Sequence, residues 1–359
     1  MKNHLDSLRQ AMTTQASFDG QYAQLVTLQN SKGMSVSFMD IGATWLSCYL
    51  PVDGEYRELL LRSSNMIEHM QQSAYFGSVV GRFANRIANG QFKLDGQTYQ
   101  LGLNDGEHSL HGGIDGFDKR RWSITEQSAQ RVIFTLHSAD GDQGYPGNLD
   151  VSVTYSLDED NAVSIVYQAS CDKACPVNLS NHAYFNLAGE ASHFTSLDHH
   201  LQLNASYYLP TDAALIPSGE MRTVLDSSFD FTALKTIGQD FLSEAEQQLA
   251  GGYDHAFVFM PKVTDALAVA ALLHSPQRDL TMKVRTTKPA LQFYSGNFLD
   301  NTPGATKHYP PYHGLALETQ FFPDGPNHPE WGDKNGIIKP NQHYLHQTVY
   351  QFETHPTLS

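Results

Sequence analysis

The sequence predicts an all-β protein, a large antiparallel β-sandwich with few short helices. Three observations lead there: the dominant apolar period is two, tight-turn residues separate runs of matched length, and helical patterns are too scarce to alternate with strands as a parallel α/β sheet requires. No internal repeat, low-complexity tract or Pro/Ser linker divides the chain, so residues 1–359 are expected to form a single domain.

The elements follow in order. Short alternating strands are expected at 24–28 and 34–40, and a short helix near 64–71. Asp95-Gly96 joins strands at 91–94 and 97–101, because that dipeptide supplies the positive φ angles of a type I′ hairpin turn. After a strand at 132–136, Leu149, Val151, Val153 and Tyr155 alternate with Asp150, Ser152 and Thr154. Residues 158–161 turn the chain, and Val163, Ile165 and Tyr167 begin the returning strand. A second helix is expected at 239–250, followed by strands at 280–286 and 290–294.

Composition excludes several function classes. With 23 basic and 38 acidic residues the formal charge is −15, which repels phosphate backbones and anionic lipid, so neither nucleic acid nor membrane is an expected partner. A neutral small molecule suits this surface. The longest apolar run, 266–273, is far short of the roughly 20 residues of a membrane helix. Three cysteines, Cys48, Cys171 and Cys175, are an odd number in a long chain and read as ordinary thiols, which together with the absence of an apolar leader points to a cytoplasmic protein.

Six segments carry chemistry. Residues 314–323 read GLALETQFFP, where Glu318 has apolar neighbours and no adjacent cation. Desolvation of such a carboxylate raises its pKa toward the range of a catalytic base; the alternative is a strand-end acid facing water. GRFANRIANG offers Asn85 and Arg86 as an amide and a guanidinium fork, or makes Arg82 and Arg86 surface and salt-bridge residues. In HSLHGGIDGFDK, His108 and His111 precede Gly112-Gly113, where backbone can come close to a ligand. NLSNHAYFNLAG sets His182 among aromatic neighbours, either as a working imidazole or as a satisfied core histidine. Asp254 in GGYDHAFVF either accepts two hydroxyl hydrogen bonds or caps the turn, and Gln292 in LQFYSGNFLD places an amide on an aromatic strand. A pyranose needs this mixture, since its C–H faces stack on rings while its hydroxyls demand polar partners.

In order along the chain, GRFANRI, SLHGG with GFDK, DGDQGYPG, NHAYFNLAG, GGYDHAF, QFYSGNFLD and GLALETQFFPDGPNHP resemble the aldose 1-epimerase (galactose mutarotase) family, from about Asp19 to Gln351. The resemblance implies a β-sandwich with the sugar in an open cleft, Glu318 as base, His182 as acid, and Asn85, Arg86, His111, Asp254 and Gln292 as sugar-binding residues. It also implies a free monosaccharide as substrate, no cofactor and no metal, acting as a monomer or homodimer. Opening the ring removes a proton from the C1 hydroxyl and delivers one to the ring oxygen. On this basis attraction between imidazolium and carboxylate is expected to raise the pKa of His182 and restrain that of Glu318.

Three rival classes share part of the pattern. A lectin needs the sugar contacts without the acid and base. A metal-dependent β-fold enzyme can draw on 17 histidines, including His108/His111 and His199-His200. A glycosidase needs a second carboxylate, for which Asp254 is the candidate.

Overall fold

A computed structural model describes residues 1–356. Its largest sheet has nine strands in the spatial order Ser123–Gln127, Arg131–Ser138, Leu149–Leu157, Ala162–Cys171, Tyr344–Thr354, Leu280–Thr286, Val269–His274, His200–Leu203 and Lys235–Thr236. Every pairing in it is antiparallel. A six-stranded antiparallel sheet follows the order Tyr184–Phe185, Leu315–Gln320, Ala290–Tyr294, Asp254–Phe259, Ala205–Tyr208 and Arg222–Thr223. Leu25–Gln29, Ser35–Met39, Thr44–Val52 and Glu55–Glu58 make a third sheet.

The core lies where these sheets meet. Alternation assigns the two faces of the six-stranded sheet: Leu315, Leu317, Leu291, Phe293 and Phe257 enter one continuous apolar cluster with Val153, Ile165, Val284 and Tyr350 of the nine-stranded sheet. The Tyr350 hydroxyl donates to the Leu317 carbonyl at 2.9 Å across that core. Alternate residues, Glu318, Gln292 and Asp254 among them, are left for the opposite face, where long connecting segments cover them.

Several sequence expectations survive with shifted ends. The hairpin pairs Gln91–Leu94 with Gln97–Gln100, and Asp95 and Gly96 have φ of 51° and 80°, as a type I′ turn demands. The first expected helix is Met66–Gln71, capped by Asn65, whose side chain accepts the Glu68 N–H. The second shortens to Ala245–Ala250, because Leu242 adopts φ 56° and breaks the run.

An N-terminal helix, Lys2–Thr13, was not anticipated. It docks on the small sheet through Leu8 and Met12, which join Ala23, Met39, Ile41, Leu46 and Met66 in a separate apolar cluster. Two apolar contacts four residues apart are too narrow a stripe to announce a helix. His4 completes the dock by lying 3.2 Å from Glu58 and stacking on Tyr49. Leu8→Ala should therefore lower stability by about 2–5 kcal/mol, read as a reduced Tm, while the specific activity of the folded protein stays unchanged.

Candidate active site

Register builds the first wall. Gln292 lies opposite Glu318 and Ala256 opposite Gln292 on neighbouring strands, so Glu318, Gln292 and, one diagonal away, Asp254 share one face. His182 reaches the same face from a segment that changes partners. Ser180 and Asn181 pair with Val80 and Val79, then Tyr184 and Phe185 pair with Ala316 and Leu315. Between the two pairings His182 presents Nε2 at 3.6 Å from Glu318 Oε1.

Two loops build the second wall. The Asn85 backbone N–H donates to His111 Nδ1 at 3.0 Å, and the His111 N–H donates back to the Asn85 carbonyl at 3.1 Å. A Cβ on Gly112 would fall 1.9 Å from the Gly81 carbonyl oxygen, so this glycine is spent on bringing the two loops together. The space it leaves is filled by protein backbone, which corrects the expectation of close approach to a ligand. Arg86 is fixed by Asp105, Nε to Oδ2 at 2.7 Å, and its Nη1 lies 3.9 Å from Asp254 Oδ2.

Arg82 is neither a surface residue nor half of a direct salt bridge. It is buried, and its guanidinium donates to the carbonyls of Ser138, Ala139, Pro146 and Gly147, which explains the DGDQGYPG segment as a structural socket.

The cleft between the walls has a volume of about 120 Å³. Asn85, Arg86, His111, His182, Asp254 and Glu318 all line it, so six of the seven residues singled out by sequence converge. Gln292 stands behind Asp254, donating from Nε2 to Oδ1 at 2.7 Å. Tyr75, Tyr184, Tyr294 and Phe298 also line the cleft; of these, sequence reasoning set only Tyr184, as an aromatic wall beside His182. Tyr75 packs against both imidazoles, with ring centroids 4.6 Å from His111 and 5.8 Å from His182. Phe298, 67% exposed, forms the rim. The aromatic residues inside NHAYFNLAG and QFYSGNFLD were the available signal for three of these; nothing marked Tyr75.

Burial governs the electrostatics. Glu318 is 2% exposed and His182 5%. Desolvation pushes the Glu318 carboxyl well above its usual range, with Asp254 pushing the same way and Arg86 opposing, and it lowers His182 to about 4. The rise at Glu318 is the one expected from its apolar neighbours, unrestrained by His182, whereas the fall at His182 reverses the expectation from mutual attraction. Unit charges about 4 Å apart attract by about 4 kcal/mol at an effective dielectric near 20, while each buried ion costs several kcal/mol, and the pair contains two. His182 Nδ1 and Glu318 Oε2 are also buried without a protein partner, a costly arrangement in a site with no substrate to satisfy them.

His111, His182 and Glu318 bring ligand atoms within 4.8 Å of one another, close enough to invite comparison with a metal site. The tautomer argues against it. Because His111 Nδ1 accepts the Asn85 N–H, the neutral ring carries its proton on Nε2 and has no lone pair left there for a cation. Burial keeps that ring neutral. His108 Nδ1 is engaged by the Asn89 N–H, and His199 spends Nε2 on the Leu187 N–H and Nδ1 on the Thr195 carbonyl. Neither expected histidine pair forms a metal cluster among the described residues.

A buried carboxylate and imidazole facing each other in a cleft, with an amide, a guanidinium, a second carboxylate and aromatic rings around them, fit a β-sandwich enzyme that acts on sugars by proton transfer. The aldose 1-epimerase family model matches residues 24–351. Aldose 1-epimerase of Escherichia coli is 48% identical over 93% of this chain and 96% of its own, and galactose mutarotase of Homo sapiens is 40% identical over 83% and 85%. Among solved structures, galactose 1-epimerase from Lactobacillus acidophilus superposes with a TM-score of 0.82 at 32% identity, covering 94% of this chain and 96% of that one. An aldose epimerase homologue from C. elegans gives 0.83 at 27%, covering 92% and 99%. The chain belongs to the aldose 1-epimerase family, and it is an isomerase.

If burial sets the proton inventory, the His182 imidazole of the ligand-free protein stays neutral from about pH 5 to 8 when followed by nitrogen NMR. A His182 resonance titrating above its ordinary value of 6.5 would show that attraction to Glu318 prevails over burial.

Proposed function

We propose that this protein interconverts the α and β anomers of free aldohexoses such as galactose and glucose, with Glu318 and His182 as the proton-transfer pair. The observation that carries the reading is the 3.6 Å approach of two buried groups, an arrangement in which burial favours one proton shared between them. With a closed ring in the cleft, C1 hydroxyl and other sugar hydroxyls donate to Glu318 and stabilise its carboxylate, so the proton resides on His182. Glu318 then takes the C1 hydroxyl proton while the imidazolium protonates the ring oxygen, and the C1–O5 bond breaks.

The open-chain aldehyde thus sits beside a neutral carboxylic acid and a neutral imidazole, the arrangement that burial favours. Rotation about C1–C2 presents the other carbonyl face. Closure reverses both transfers, and atoms and charges balance without a cofactor. His111, donating from Nε2, and Arg86 hold oxygens near the reacting centre, Asp254 and Asn85 hold more distant hydroxyls, and Gln292 supports Asp254. We infer a cytoplasmic setting, which suits three free cysteines, and action as a monomer or homodimer. Among the described residues no helix is long and apolar enough to cross a membrane.

Glu318→Gln cannot accept the C1 proton and His182→Asn cannot donate one to the ring oxygen. Each should lower kcat by roughly 10²–10⁴-fold, measured by polarimetry on freshly dissolved α-galactose and α-glucose. Near-normal mutarotation by either variant would remove that residue from the chemistry, whereas no mutarotation by the unsubstituted chain would leave the fold as a sugar-binding module.

Asp254 tests binding separately from chemistry. Asp254→Ala should raise KM by about tenfold or more and change kcat little, because a carboxylate on remote hydroxyls acts equally in ground and transition states. A collapsed kcat with unchanged KM would instead move Asp254 among the reacting groups, where a second carboxylate opens the way to glycoside hydrolysis.

A further inference from the structure

Gln320 follows Glu318 by two residues on the same strand and so points to the same face, yet it does not line the cleft and is completely buried. Its Nε2 lies 3.4 Å from Gln292 Oε1, and Gln292 Nε2 lies 2.7 Å from Asp254 Oδ1. The direction of this chain is forced. A carboxylate only accepts hydrogen bonds, so Gln292 must turn its NH₂ group to Asp254, which leaves its carbonyl oxygen for Gln320, and Gln320 must answer with its own NH₂. The other end of Asp254 faces Arg86 at 3.9 Å.

We propose that Gln320 is a positioning residue for sugar binding, orienting the Gln292 amide and through it the Asp254 carboxylate. Without a donor at 320, nothing distinguishes the two orientations of the Gln292 amide except Asp254 itself. A rotated amide would set oxygen against carboxylate and turn Asp254 away from the cleft. The Gln320 oxygen has no protein partner among the described residues, so an apolar residue of the same size would remove a buried unsatisfied atom; what the amide contributes is its donor end. The inference rests on the reading of Asp254 as the group that holds remote hydroxyls.

The test is a double-mutant cycle on the full chain, with mutarotation of galactose followed by polarimetry and Tm recorded for each variant. Gln320→Leu should raise KM about three- to tenfold, the value of one lost buried hydrogen bond, with kcat within about twofold. In the Asp254→Ala background the same substitution should alter KM by less than about twofold, because the carboxylate it orients is gone. Gln320→Met serves in place of Leu if the latter fails to fold. Unchanged KM in a folded Gln320 variant overturns the inference while leaving Asp254 in place, and so do equal increments in both backgrounds, which denote a general structural role. If Asp254→Ala itself leaves KM unchanged, the reading of Asp254 and this inference fall together.

Discussion

Everything at this site depends on one change of partner. The chain around His182 leaves Val79 and Val80 and joins Leu315 and Ala316, and the His182 imidazole occupies the gap between the two pairings. Backbone ladders alone do not hold such a gap open at a fixed width. Side chains do: Ser180 Oγ donates to the Thr319 carbonyl at 2.9 Å, and Asn178 Oδ1 accepts the Phe321 N–H at 2.9 Å. Lys288, wholly buried, donates to the carbonyls of Leu179 and Thr319 and stands 4.0 Å above the Tyr167 ring. A lysine there is expensive enough that burial drives its pKa far down, yet its reach spans the segments that carry His182 and Glu318.

With the width fixed, desolvation decides the chemistry. Burial makes a charge costly on either member of the pair, but one proton shared between them costs less than two or none. This assigns the limbs of a pH profile. If the pair works as proposed, activity should fall on the acid side where His182 gains a second proton near 4, beside an already neutral Glu318, and on the alkaline side where the pair loses its proton at the raised pKa of Glu318. Reading each residue alone gives the opposite assignment. On the proposed mechanism, sugar hydroxyls in the cleft supply hydrogen bonds to the buried oxygen and nitrogen, so that substrate binding and redistribution of the proton become one event.

Much of this was legible in residues. Leu149 to Tyr155 and the Asp95-Gly96 turn declared strands because one face of each is solvated, which imprints period two. Asp254–Phe259 and most of Thr44–Val52 are buried on both faces and went unread, whereas Ser35–Met39 and Ala290–Tyr294, buried at every position, were read as strands, so burial on both faces does not by itself hide one. Site residues were recognisable because imidazole, amide and carboxylate are rare beside aromatics and glycine. The function of Arg82 was not, because its partners are carbonyl oxygens supplied by the fold of a distant loop. Nor was the order of Gln292 and Asp254: register decides which of two polar residues fronts the cleft, and register is a property of paired strands.

The two walls also differ in how they are stiffened. The wall of Glu318 and Asp254 is ordinary sheet, precise because three strands share a ladder. The facing wall is loop, and there Tyr75, Asn85 and His111 adopt φ of 58°, 70° and 51°, left-handed values that L-residues other than glycine take at a cost. Three such residues around one small cleft mean that the surrounding contacts overdetermine them. The reciprocal bonds between Asn85 and His111 and the Gly112 contact with Gly81 are those contacts. A wall held this way presents its donors before the sugar arrives, and the sheet opposite supplies the proton pair at a fixed distance. Binding free energy is then available for separating charge in the cleft rather than for arranging it.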